Sequence, residues 1–293
     1  MLRGIYRSVN ERVGPLPNRD PQLKGSVAGW CVHEGLPGRW AARARWSVIS
    51  SRQRTRKDEP MDKVAVITGA SQGIGAALVE AYRKLGYAVV ATARGITRHQ
   101  LSEVLTVPGD LADPATAERV VDTAMEAYGR IDTVVNNAGI FISKPFTDYT
   151  DEDLDTYLGV NVRGFFHVTR RAVPHLLAHG DGHIVTITTS LVDHPLSRVP
   201  SVLASLTKGG LQAATRSLAI EYAGRGLRVN AVSPGIVKTP MNPPETYEFA
   251  ASLHPVGRMG EISDVVQAVV YLERAPFVTG EILHVDGGQS VGH

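Results

Sequence analysis

Two stretches of the 293-residue chain carry residues whose types and spacing could do chemistry. The first is Thr68-Gly69-Ala70-Ser71-Gln72-Gly73-Ile74-Gly75, which follows the apolar run KVAVIT and opens a helical pattern. In that context Gly69 can make a tight turn, while Gly73 and Gly75 let backbone amides and a helix N-terminus approach a pyrophosphate. The second is SVLASLTKGG, a small-residue helical stretch with Lys208 near its middle and Ala204 one turn earlier. Residues four apart share a helix face, so the neighbour of this ammonium is a methyl group.

The elements that must position these residues are legible as an alternation. KVAVIT, YAVVATA, IDTVVNN, HIVTITT, LRVNAVS and ILHVDGG read as strands, with a weaker one near EVLTVPGD. The intervals AALVEAYRKLG, PATAERVVDTAMEAYG, DEDLDTYLGVNVRGFFHVTRRAVPHLLAHG, SVLASLTKGGLQAATRSLAIEYAGRG and SDVVQAVVYLERA are long enough for crossover helices. This pattern predicts an α/β fold, a doubly wound Rossmann-type parallel sheet of about seven strands with helices on both faces, forming a single domain. Internal repeats and low-complexity tracts are absent.

Composition divides the chain. At 43% apolar residues it can bury a full core. The net charge of +2 combines +7 over residues 1–60 with −5 over residues 61–293. Trp30, Trp40, Trp46 and the lone Cys31 all fall in the first part. Gly and Pro interrupt that part and no period of 3.6 or 2 persists, so residues 1–60 read as a basic extension outside the packed domain. Met61 stands directly before the first strand and raises the expectation that translation starts there. Neither a signal-peptide h-region nor an 18-residue apolar span is present. A single cysteine fits a reducing compartment, and cytoplasmic localisation is expected.

The spacing G-x-x-x-G-x-G resembles the short-chain dehydrogenase/reductase family, and further motifs extend the resemblance through residues 62–293. Gly109-Asp110-Leu111 matches the adenine-side segment, Asn136-Asn137-Ala138-Gly139 the NNAG after the fourth strand, and Pro234-Gly235 with Thr239 the nicotinamide-side PG-x-x-x-T. Asp286-Gly287-Gly288 matches the terminal DGG. The resemblance implies a nicotinamide cofactor held by Gly69, Ser71, Gln72, Gly73, Ile74, Gly75, Arg94, Asp110, Leu111, Asn137, Ala138, Gly139, Lys208, Pro234, Gly235, Val237 and Thr239. NAD-preferring members place an acid at the end of the second strand. Here Ala93 is followed by Arg94, whose guanidinium can bind a 2′-phosphate bidentately, so NADP(H) is expected over NAD(H).

Members of this family use an Asn-Ser-Tyr-Lys tetrad with the last two spaced Y-x-x-x-K. Asn161 matches the Asn and Lys208 the Lys, whereas the Tyr position is occupied by Ala204. The enoyl-reductase register, seven before the lysine, holds Ser201. For the serine, Ser190 fits the interval to the helix and Thr189 fits the strand position. With the phenol absent, candidate proton donors are a water relaying from Lys208, His194, or Tyr247. The loop from Thr239 to Pro255, with Met241, Tyr247, Phe249 and Leu253, is expected to line a partly apolar substrate pocket. The implied activity is NADP(H)-dependent hydride transfer on a carbonyl or alcohol with atypical proton delivery. The alternative is a catalytically silent NADP(H)-binding sensor, regulator or scaffold. The expected partners are a small-molecule substrate and further copies of the chain, as a tetramer or dimer. Metal, nucleic acid and membrane are not expected.

Overall fold

The computed structural model describes residues 63–292. The expectations for residues 1–60 and for Met61 lie outside the described residues. Strands β1 (Val64–Thr68), β2 (Ala88–Ala93), β3 (Val104–Pro108), β4 (Thr133–Asn136), β5 (Gly182–Ile187), β6 (Leu227–Pro234) and β7 (Ile282–Val285) form one sheet. Its order is β3-β2-β1-β4-β5-β6-β7, and every pairing is parallel. All the expected strands are therefore present, the weak one included.

Strand side chains alternate between faces, and both faces are covered. Val64 and Val66 of β1 pack with α2 (Pro114–Tyr128), α4 (Gly164–Leu177) and α5 (Val202–Tyr222) through Val120, Val168, Leu176 and Ala219. Ala65 and Ile67 pack on the other face with α1 (Gly73–Lys84) and α7 (Ile262–Arg274) through Leu78, Tyr82, Val265 and Leu272. These valines are fully buried, each contributing about 1.5–3 kcal/mol relative to exposure. After β3 the chain crosses to the other side of β1 to lay down β4. That reversal opens a crevice at the carboxyl ends of β1 and β4, the place where open α/β sheets bind ligands.

One interval differs from its sequence reading. DEDLDTYLGVNVRGFFHVTRRAVPHLLAHG is not a single helix: α3 (Asp151–Tyr157) passes through a π-helical turn, Leu158–Arg163, before α4 begins. A capping box starts α3, with Asp153 N–H donating to Thr150 Oγ1 at 3.2 Å and Thr150 N–H to Asp153 Oδ2 at 2.8 Å. Asn161 sits inside the π turn, where its side chain finds bonds outside the helix; such insertions commonly mark functional sites. The Thr239–Pro255 segment also holds a short helix, α6 (Tyr247–Ala251), that periodicity did not announce.

A buried carboxylate fastens the amino ends of the strands, away from the crevice. Glu273 accepts from Tyr82 Oη (2.9 Å), Tyr87 Oη (2.7 Å), Thr133 Oγ1 (3.0 Å) and His183 Nδ1 (2.9 Å). Burial pushes the carboxyl upward, but the hydrogen bonds it accepts from His183 and the two phenols outweigh it and hold the group at about 2. Burial lowers His183 in turn. We assign it as neutral with its proton on Nδ1, because its Nε2 pairs with Asn230 Nδ2 at 3.1 Å.

Candidate active site

A cleft of about 700 Å³ opens at the carboxyl ends of the strands. Gly69, with φ +65°, turns the chain out of β1, and a Cβ there would lie 2.8 Å from Ala138 Cα. A Cβ on Gly75 would collide with the Gly69 carbonyl, so α1 can begin tight against the turn only with glycine there. The helix starts at Gln72 without a side-chain cap and with no acid in its first turn. Its first amides are left for an external acceptor at the positive end of the helix dipole, the arrangement a pyrophosphate requires.

Asn137 ties the two central strands together. Its Nδ2 donates to Thr68 O at 3.0 Å and Gly69 O at 3.1 Å. Thr68 Oγ1 in turn accepts from the backbone N–H groups of Asn137 and Ala138, each at 3.0 Å. Thr239 closes the opposite wall, near enough that a Cβ on Gly73 would touch its Cβ at 3.6 Å. At the β2 end of the cleft Arg94 is exposed and makes no ion pair among the described residues; Asp110 spends Oδ1 on the N–H of Ala112 at 2.9 Å. Arg98 lines a neighbouring depression that shares Ser71 and Gly95 with the cleft.

The other end of the cleft is built around α5. Lys208 is 8% exposed and its Nζ donates to the Ile187 carbonyl at 2.7 Å. Burial alone lowers its proton affinity, to a pKa of about 8. A Cβ on Gly139 would meet this Nζ at 2.8 Å, so a larger residue in the NNAG turn would push the ammonium aside. Asn161 lies against the same turn, its Oδ1 3.3 Å from where a Cβ on Gly139 would stand. Its Oδ1 accepts from Ile140 N–H at 2.9 Å and its Nδ2 donates to Thr207 Oγ1 at 3.1 Å, so the side chain clamps α5 to the loop.

The two hydroxyl candidates separate geometrically. Both line the cleft, but Thr189 Oγ1 accepts from Leu191 N–H at 3.4 Å as the cap of the 3₁₀ turn Ser190–Val192. Ser190 is fully buried, with its Oγ 2.7 Å from Gln289 Oε1. Ala204 also lines the cleft and packs with Tyr157 and Leu203. Tyr157 is the nearby phenol, yet its hydroxyl donates to Ile142 O at 3.0 Å and accepts from Ile142 N–H at 2.6 Å, and burial raises its pKa to about 12. Neither His194 nor Tyr247 is among the lining residues.

Of the four apolar residues expected in the substrate loop, Met241 lines the cleft. Phe249 instead stacks under Arg198, whose guanidinium carbon is 4.8 Å from the ring centre, and Leu253 is buried against Leu191 and Val199. His254 anchors the loop, with Nδ1 2.8 Å from Ala250 O and Nε2 3.0 Å from Ile236 N. Ile140, Phe141, Leu191 and Ile236 complete the apolar wall. Sequence reasoning missed these four and Gln289. For Gln289 a signal existed, since it directly follows the DGG motif.

Comparison with known proteins agrees with this arrangement. The family model described as Enoyl-(Acyl carrier protein) reductase matches residues 69–290. The 3-oxoacyl-acyl-carrier-protein reductase FabG of Thermotoga maritima is 34% identical over 242 residues, covering 77% of this chain and 97% of that protein. A 3-ketoacyl-(acyl-carrier-protein) reductase from Brucella melitensis, solved with NADH, superposes with a TM-score of 0.72 at 30% identity, covering 79% of this chain and 100% of that one. A short chain dehydrogenase from Burkholderia cenocepacia, solved with NADP, gives the same TM-score and identity over 79% of this chain and 99% of its own. No helix among the described residues is long and apolar enough to cross a membrane. The motif order, the sheet order and these matches together show that the chain belongs to the short-chain dehydrogenase/reductase family.

Proposed function

We propose that the protein is an NADP(H)-dependent oxidoreductase acting on a carbonyl or alcohol substrate, with proton delivery that uses no phenol. The observation that carries this reading is the cleft itself, where an uncapped helix end and a glycine-walled turn lead to a buried lysine beside apolar walls. The bound nicotinamide supplies a hydride to the carbonyl carbon, or accepts one from the alcohol. Arg94, with no acid beside it at the end of β2, favours a 2′-phosphate on the cofactor. Lys208 holds the cofactor ribose, and Ser190 donates to the substrate oxygen.

In reduction the substrate oxygen gains one proton as the carbon gains the hydride. Among the described residues no tyrosine or histidine lines the cleft, and Lys208 is the titratable group at its deep end. The proton therefore comes from the Lys208 ammonium through a solvent molecule beside Ala204, which stands where the family carries its tyrosine. Asn161 acts by fixing the Ile140 backbone rather than by touching substrate. The domain comprises residues 61–293, residues 1–60 being an extension. Phe166 of α4 and Leu206 and Ile220 of α5 are exposed and suit a homo-oligomeric contact.

One observation favours a second reading. With no phenol among the described residues that line the cleft, the chain would bind NADP(H) as a silent sensor, regulator or scaffold. A carbonyl panel with NADPH separates the two, using the wild type and Ala204→Tyr. Weak or substrate-restricted turnover in the wild type, rising in the variant, supports the enzyme. Tight NADPH binding with no turnover in either protein supports the silent binder.

A further inference from the structure

The residue after the DGG motif sits in the core of the site. Asp286 Oδ1 accepts from Gly288 N–H at 3.0 Å and Oδ2 from Ser290 N–H at 2.8 Å, while Gln289 N–H donates to Asp286 O at 3.2 Å. With φ of +59° and +90°, Gly287 and Gly288 adopt the left-handed conformations this turn requires. The turn drives Gln289 inward to 0% exposure, against Ser190 and on the wall of the cleft.

The Gln289 amide has two orientations that exchange Oε1 and Nε2. In one, the Ser190 hydroxyl donates to Oε1 at 2.7 Å and Nε2 has no hydrogen-bond partner. That orientation spends the serine proton on the protein and strands two buried N–H donors, a rarer defect than an unpaired carbonyl and worth about 1–3 kcal/mol. In the other, Nε2 donates to Ser190 Oγ, and the hydroxyl proton has only the cleft to point into.

We infer that Gln289 is a positioning residue that, with its Nε2 turned to Ser190, aims the Ser190 proton at the substrate oxygen. The inference rests on the oxidoreductase reading. It gives Ser190 a fixed donor direction in a site that lacks the phenol as a second donor. The DGG motif then serves to carry Gln289 to this place.

Two measurements test it. Neutron diffraction of deuterium-exchanged wild-type crystals with NADP⁺ should show Nε2 facing Ser190 Oγ and the serine deuteron directed into the cleft; a deuteron on the line to Oε1 overturns the inference. This map needs no turnover, so a wild type inactive on every carbonyl would defeat the functional reading while the inference is still decided. For the active enzyme, Gln289→Glu keeps the shape but, when ionised, accepts the serine proton. Its kcat near pH 8 should fall about 10- to 100-fold with KM and NADPH affinity within about twofold. Activity should recover as the pH is lowered and the introduced carboxyl takes up a proton. An unchanged kcat, or a loss matched by equal losses in NADPH affinity and Tm, would overturn the assignment.

Discussion

Replacing Lys208 by methionine should make the apoprotein more stable at pH 7 while abolishing turnover. The ammonium is 8% exposed and, among the described residues, forms no ion pair with a carboxylate and makes one hydrogen bond, to Ile187 O at 2.7 Å. Burial lowers its pKa from 10.5 to about 8, which at roughly 1.4 kcal/mol per tenfold change in proton affinity puts the cost of keeping it charged at about 3 kcal/mol. Methionine has a similar length and no charge, but it leaves the Ile187 carbonyl unpaired at about 1–3 kcal/mol. The net gain is about 1 kcal/mol, or a Tm higher by roughly 2–4 °C.

The pH dependence makes the test specific. Between the folded value of about 8 and the unfolded value near 10.5 the unfolded wild type binds more protons than the folded protein, so wild-type stability rises with pH across that window. Below it the full cost is present. The advantage of Lys208→Met should therefore vanish and reverse as pH rises, the difference moving by about 2 kcal/mol between pH 7 and pH 9.5. Urea unfolding of both apoproteins at those two pH values measures it. A difference that stays constant with pH would refute the argument, because it would show that the ammonium is hydrated rather than desolvated.

Other perturbations bear on other parts of the molecule. Ala204→Tyr should raise carbonyl reduction by about 10²- to 10⁴-fold if a phenol is what the site lacks. It should cost about 1–3 kcal/mol in stability, because Ala204 is 1% exposed against Tyr157 and Leu203, and chemical denaturation reads that cost. Arg94→Ala should weaken NADPH about 10- to 100-fold and NADH little, by calorimetric titration; equal effects would remove the 2′-phosphate assignment. Glu273→Gln should destabilise by about 3 kcal/mol at pH 7. Because the folded carboxyl is held at about 2, below its ordinary 4.5, its contribution is present above 4.5 and lost as pH falls toward 2; the gap between wild type and variant should close over that range.

Much of this architecture is legible in the chain because its signals are local. Strand runs such as VAVI are uniformly apolar because the strand is buried on both faces, and the turn residues that end them are set by backbone geometry alone. The glycine turn is readable for the same reason: a positive φ at Gly69 and the crowding at Gly75 exclude other residues. The π turn around Asn161 was not readable, because its helical periodicity continues on both sides and only the bonds to Ile140 and Thr207 favour the inserted residue. Tyr247 and Phe249 have the composition of a pocket wall, yet α6 turns them elsewhere.

The amino-acid sequence by itself determined the strand-helix alternation, the glycine-rich turn after the first strand, and the fact that a methyl group precedes Lys208 by one helical turn. Each depends on residues within a few positions of one another, where backbone sterics and helix geometry leave little choice. Tertiary structure alone decided that Ser190 meets Gln289 across 99 positions of chain, that the Tyr157 hydroxyl is tied to Ile142, and that Lys208 is buried with no carboxylate partner among the described residues. Those relations depend on which surfaces the folded sheet brings together and on how much water it excludes, and neither quantity is encoded in local spacing.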